Sequence, residues 1–186
     1  MNLIALPDIL TPQSQEWGLK SHSRVFTSAF TGYKQSIQTP GAMWTCKYSY
    51  PLVTEEQMKT FKAFLVRLRG QSVAFTAQDF GFTTGQASAG VTANATKGAA
   101  TAILNGAYTF QSGDYVTIGT ELKMIVDDSS GTQITIEPPF RAEQVSAPVI
   151  TENPFCAMLL NEDSISWPTK SPVISALEFS GTEFFV

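Results

Sequence analysis

At 186 residues, 43% of them hydrophobic and only 15% charged, the chain is long enough to bury a full core without disulfides or metal. Its formal charge of -4 and twelve scattered Lys and Arg argue against an electrostatic nucleic-acid binder. No apolar run approaches the ~20 residues of a membrane-spanning helix. A surface this short of charge suits either a permanent assembly partner or a β-rich domain full of Ser and Thr.

The opening MNLIALPDILTPQ has no basic stretch and is interrupted by Pro7 and Asp8, so no signal peptide is expected and synthesis in a cytoplasm is. Residues 1–24 read as polar and irregular, broken by Pro7, Pro12 and Gly18, with Trp17 as an anchor. Two β-rich runs follow, Tyr33–Gln38 and Met43–Tyr50, flanking Thr39-Pro40-Gly41-Ala42. Pro then Gly suits a type II turn, which predicts that these two runs form an antiparallel hairpin. In the second run Trp44, Cys46, Tyr48 and Tyr50 share one side, while Met43, Thr45, Lys47 and Ser49 share the other.

After Pro51 the period changes from two to 3.6. Met58, Phe61, Phe64, Leu65 and Leu68 recur at helical spacing and predict a helix over 54–69. Thr54 and Gln57 make a capping box, Val53 and Met58 a hydrophobic staple, and Gly70 a left-handed stop. That apolar face should pack on the Trp44 side of the preceding strand. Ser72–Ala77 reads as a strand with Val73 and Phe75 on one face.

From Thr83 to Ala102 the composition turns to Gly, Ala, Thr and Ser; either a flexible linker or small-residue strands would fit, and the period-two spacing of Val91, Ala93 and Ala95 favours strands. Then Val116 and Ile118, Leu122 with Met124 and Val126, and Ile134 with Ile136 each alternate, punctuated by Gly113-Asp114, Gly119 and the run Asp127 to Gly131. Three short strands at this spacing suggest a small barrel. Strands return over Phe155–Leu160, with Cys156, Met158 and Leu160 on one side, and over Val173–Phe179, with Val173, Leu177 and Phe179 on one side. The end, Glu183-Phe184-Phe185-Val186, is apolar enough that it must dock.

Chemistry is scarce. The one histidine, His22, sits between two serines, which leaves most Ser-His-Asp, Cys-His and His-rich metal schemes without a base or ligand. Cys46 and Cys156 lie in apolar strand runs and read as buried thiols, with a disulfide or a reactive thiol as the alternatives. Asp127 and Asp128, with Asp114 and Glu121 near in sequence, lack the spacing of a calcium loop and read as a turn capped by its own side chains. GFTTGQASAG has no Lys-Ser/Thr and opens no helix, so it is no phosphate loop. Trp17, Trp44 and Trp167 are candidates for a sugar platform, although Trp44 lies on an apolar strand face and reads as core. No catalytic, cofactor-binding or metal-binding residue is expected.

The run FTGYKQSIQTPGAMWTCKYSYPLVTEEQMKTFKAFLVRLRGQSVAF resembles the N-terminal module of the distal tail or baseplate-hub structural proteins of long-tailed bacteriophages. The matching positions are Gln35 or Gln38, Pro40, Gly41, Trp44, Tyr48, Phe64, Leu68, Arg69, Gly70 and Phe75. SGDYVTIGTELKMIVDDSSGTQITIEPPFR looks like the small barrel such proteins carry, through Gly113-Asp114, Val116 and Pro138-Pro139-Phe140-Arg141. The resemblance implies a mainly β chain with one helix. Residues 1–83 and 149–186 would form a tail-tube-like β-sandwich or split barrel packed by helix 54–69, and 84–148 an inserted small β-barrel; one continuous sandwich would give the same alternation. It further implies a virion protein, not an enzyme, that forms a ring of typically six copies joining the tail tube to hub or fibre proteins; a mildly acidic chain is compatible with a lumen that DNA passes without sticking. A carbohydrate- or receptor-binding β module of a phage tail is the alternative reading.

Overall fold

The computed structural model of the chain describes residues 3–38, 41–82, 89–164, 166 and 175–185. Strands dominate, and the described residues hold a single α-helix. The first half contributes β1 (Ile4–Ala5), β2 (Ser14–Lys20), β3 (Ser23–Thr27), β4 (Lys34–Gln38), β5 (Met43–Val53), α1 (Glu55–Leu68) and β6 (Phe75–Ala77). Then come β7 (Thr92–Ala95), β8 (Thr101–Leu104), β9 (Tyr115–Ile118), β10 (Glu121–Ile125), β11 (Gln133–Glu137), β12 (Gln144–Ile150), β13 (Cys156–Leu160) and β14 (Ser175–Glu183).

Three sheets result. A six-stranded sheet has the order β1–β6–β13–β14–β5–β2, a closed barrel runs β10–β11–β8–β7–β12–β9, and β3 pairs β4 alone. The barrel strands lie in sequence between β6 and β13, which are themselves neighbours in the six-stranded sheet. Barrel closure comes from β9, which pairs both β10 and β12, so no strand edge is left open around it.

Helix α1 forms where the sequence signals place it. Thr54 accepts from the Gln57 amide and the Gln57 side chain accepts from the Thr54 amide, closing the capping box. Arg69 ends the helix in a left-handed conformation at φ 50°, and Gly70 continues it at φ 64°. The stop therefore uses two residues, where Gly70 alone was expected. Gly70 has a second constraint: a Cβ there would meet the Asp163 Oδ1 at 2.8 Å and its Cα at 3.1 Å. The Val53 side chain of the expected staple lies outside the described part of the molecule.

The helix face packs as the spacing predicts. Met58, Phe61, Phe64, Leu65 and Leu68 are buried in one cluster with Trp44, Cys46, Tyr48 and Tyr50 of β5, Phe75 of β6, Met158 of β13 and Phe179 of β14. Edge-on and tilted aromatic contacts run through it, Tyr50 to Phe61 at 4.5 Å and Tyr48 to Phe179 at 5.5 Å between ring centres. A second core fills the barrel with small and branched residues, including Val91, Ala93, Ala102, Val116, Ile118, Ile134 and Ile136. Small residues there let six short strands close around a narrow interior. Of the Gly-, Ala- and Thr-rich stretch 83–102, Thr92–Ala95 and the start of Thr101–Leu104 are strand, 96–100 turn between them, and 83–88 lie outside the described residues.

Several expectations need correction. Residues 1–24 are not irregular: β2 is a seven-residue strand in register with β5, Glu16 opposite Lys47 and Trp17 opposite Cys46. The runs Tyr33–Gln38 and Met43–Tyr50 do not pair with each other. Instead β4 pairs β3, with Phe26 opposite Gln35, while β5 pairs β2 and β14. The reversal lies earlier, at 28–33, where the Ser28 amide donates to the Tyr33 carbonyl at 2.9 Å. The expected Pro-Gly turn involves Thr39 and Pro40, which lie outside the described residues. The strand expected over Ser72–Ala77 is confined to Phe75–Ala77, because Gly70–Ser72 form a turn of 3-10 helix. Val126 is exposed and does not continue the Leu122–Met124 face.

Candidate interaction surface

Ordinary strand rules put one face of a sheet in a core. The β3–β4 hairpin breaks this rule, since every described side chain on it is exposed. Its pairing sets Phe26 beside Gln35 and Ile37 beside Arg24 on one face, with Val25 and Ser36 on the other. Val25 is 59% and Phe26 55% exposed, and at the tip Tyr33 is 81% and Phe30 99% exposed. β3 follows β2 after two residues, and β4 leads towards β5, so the hairpin is a prolongation of the β2–β5 ribbon beyond the sheet. At about 3.3 Å per residue the tip stands roughly 20 Å from its base.

Charge follows the same division. Between Trp17 and Thr54 there is no Asp or Glu, only Lys20, Arg24, Lys34 and Lys47. The other eight Lys and Arg share the rest of the chain with all sixteen acids. The arm is cationic and apolar; the body is acidic.

At the arm's base, His22 Nδ1 lies 2.7 Å from the Gly41 carbonyl oxygen. A carbonyl only accepts, so that ring nitrogen carries the proton. This contact ties the β2–β3 junction to the start of β5. A Cβ on Gly41 would press the His22 ring at 3.3 Å, and Gly41 has φ 150°. The histidine thus has a place in the arm's geometry.

Beneath the base, the barrel meets the sheet. Trp44 Nε1 donates to the Leu122 carbonyl at 2.9 Å and its ring lies edge-on to Tyr115 at 5.5 Å. Leu122 and Tyr115 belong to the aromatic core and not to the barrel interior. Thr117 Oγ1 both donates to the Phe155 carbonyl and accepts its amide, each at 2.7 Å. Next to these lies a buried ion pair: Lys123 Nζ donates to Glu121 Oε2 at 2.7 Å and to the Pro139 carbonyl at 3.2 Å. Glu121 also accepts the amides of Arg141 and Ala142 and the Gln144 side chain. Arg141 donates to the Ala42 carbonyl and lies 3.5 Å from the Phe185 ring centre. Burial pushes the Lys123 amine down and the Glu183 carboxyl up, the latter partly offset by the Trp44 amide that Glu183 accepts at 2.9 Å.

The remaining sequence candidates fall into plain structural roles. Cys46 and Cys156 are free and buried, and burial pushes the Cys46 thiol up to about 12 and Cys156 well above its ordinary value. Asp114 accepts the Gln111 amide within its own turn, whereas Asp128 reaches across to accept the Ser112 amide of that same 111–114 turn and does not cap its own as expected. Among the described residues no group of three or more His, Cys, Asp or Glu converges as a metal site, and no helix among them is long and apolar enough to cross a membrane. Trp17 is half-buried against Trp44 and Tyr48, at 6.3 and 6.5 Å, and is no open platform. Trp167, Val173, Val186 and most of GFTTGQASAG lie outside the described residues. Past β14, the Phe184 amide donates to the Ala157 carbonyl at 2.8 Å, continuing the pairing of β13 with β14.

Sequence reasoning missed the buried charges. Lys123 sits between Leu122 and Met124, and simple alternation sends it to solvent; no local signal marks a strand covered on both sides. Compared with protein-family models the chain matches none, and no curated protein sequence matches it.

Proposed function

We propose that this chain is a structural protein of a bacteriophage tail tip, acting by self-assembly into a ring that joins the tail tube to hub or fibre proteins. The observation that carries the proposal is the β3–β4 arm. A two-stranded hairpin alone in water is marginally stable at best, and this one exposes Val25, Phe26, Phe30, Tyr33 and Ile37 with no core of its own. Such a ribbon is suited to being covered by another molecule. Its two tip rings would supply roughly 300–400 Å² to a partner, against ~800 Å² for one side of a standard interface.

The arm and the body are different surfaces, so repeated use of the contact is head-to-tail and closes into a ring when the rotation permits. Six copies is the number that the tail-tip resemblance implies. In this reading the protein works through shared surfaces, catalyses nothing, and resides in the virion. The architecture is compatible with it: a sheet packed by one helix offers a rigid base, and the barrel is fixed to that base through Trp44 and Thr117.

The test is mass in solution together with negative-stain imaging of the full chain and of the doubly substituted Phe30→Ser, Tyr33→Ser chain. Annular particles from the unsubstituted chain that dissociate on substitution support the proposal. Lone globules from both chains at every concentration, and when mixed with tail-tube protein, count against it.

A further inference from the structure

A groove of about 690 Å³ opens at the foot of the arm, between the barrel's β11–β12 connection and the chain's C-terminal end. Its apolar lining comes from Pro139 and Phe185, which are half-buried, over the buried Pro138 and Phe140, and Lys97 and Glu137 line it as well. The volume is that of a site for one or two large side chains. The floor is also held in place: Arg141 donates to the Ala42 carbonyl and stacks on the Phe185 ring, and the Arg141 amide is fixed by Glu121. A preformed floor costs little to bind, since its side chains are already ordered.

What fits it can be read from charge and reach. Glu137 makes no ion pair among the described residues, and the arm carries positive charge only. The arm's own tip stands roughly 20 Å beyond this base, because Gly41 and Ala42 line the groove and the strands lead away from it. The same molecule therefore cannot fill its own groove. We propose that the groove receives the arm tip of a second copy, with Phe30 and Tyr33 against Pro139 and Phe185 and with Lys34 meeting Glu137. The arrangement rests on the assembly reading above and gives it a site. It also places each incoming tip beside the host's own arm base, so that successive arms lie next to one another around the assembly.

The test uses the full chain with Thr31→Cys at the tip and Lys97→Cys at the groove rim; both native thiols are buried, and both substituted positions are exposed. Mild oxidation should give a ladder of disulfide-linked species on a non-reducing gel, absent when either cysteine is introduced alone. Only monomer, or an equal ladder from Thr31→Cys alone, overturns the groove assignment. In sedimentation, Glu137→Lys should weaken association at least tenfold, and adding Lys34→Glu should restore it; unchanged association in Glu137→Lys overturns it as well. If the unsubstituted chain associates and loss of the tip rings breaks it, but these groove results fail, the ring reading stands and the groove falls. If the chain stays monomeric and its tip rings instead bind a single-stranded oligonucleotide or phosphatidylserine vesicles, both fall.

Discussion

Phe64→Ala is the substitution whose cost the structure bounds best. Phe64 is 4% exposed, stands perpendicular to Phe75 with ring centres 5.9 Å apart, and lies 6.4 Å from Phe179. Truncating a buried phenylalanine costs about 3–5 kcal/mol. The upper half of that range applies, because Phe75 and Phe179 stand on hydrogen-bonded central strands that cannot move in to fill the space. In a chain of this size each kcal/mol shifts Tm by about 2–4 °C, so the melt should fall by roughly 10 °C or more. The assay is thermal and urea unfolding followed by circular dichroism. Val66 is the control, on the same helix but 62% exposed; its alanine variant should change stability by less than about 0.5 kcal/mol. A Phe64→Ala melt within a degree of the unsubstituted chain would refute the packing argument.

The buried ion pair predicts an ordering. Glu121→Ala leaves the Lys123 ammonium buried without its anion and should cost about 3–5 kcal/mol, whereas Lys123→Met leaves Glu121 with its three N–H donors and should cost clearly less in urea unfolding. Glu183 has its carboxyl raised by burial, so its contribution to stability is fully present below the ordinary carboxyl value near 4.5 and is lost as pH rises through its folded value. The Glu183→Gln variant, whose amide oxygen still accepts from Trp44, should therefore show a flatter decline of unfolding free energy from pH 4.5 upward; identical slopes would contradict the assignment. Cys46 and Cys156 should resist a maleimide at pH 7 in the native chain and both react in denaturant. Rapid native labelling of either would contradict their burial.

Local signals in this sequence report local structure well. Helix α1 is legible from Met58 to Leu68 because period, capping box and stop agree, and Cys156–Leu160 is legible as a short apolar strand run, although both of its sides are covered. Pairing is a non-local property, and there the reading fails. Pro40-Gly41 carries a turn's chemistry, yet β4 and β5 take β3 and β2 as partners, since the ribbon reverses at Ser28–Tyr33. β2 was invisible because its inward residues, Gln15, Trp17 and Leu19, are only half-buried or exposed at the sheet edge. The arm is not legible in the sequence: Tyr33 reads as part of a hairpin with β5, and only the exposure of Phe30 and Tyr33 in the fold marks them out. The groove joins Ala42, Pro138 and Phe185, far apart in sequence, and no motif could have assembled it.

The central claim is that the β3–β4 arm is covered by another copy of this chain. Amide hydrogen exchange, followed in the full chain as its concentration rises, reads this directly at Val25, Phe26 and Lys34 to Ile37. The account predicts that exchange there slows by roughly tenfold or more as copies associate, while the amides of α1 keep one rate throughout. Arm amides that exchange equally fast at every concentration would contradict it.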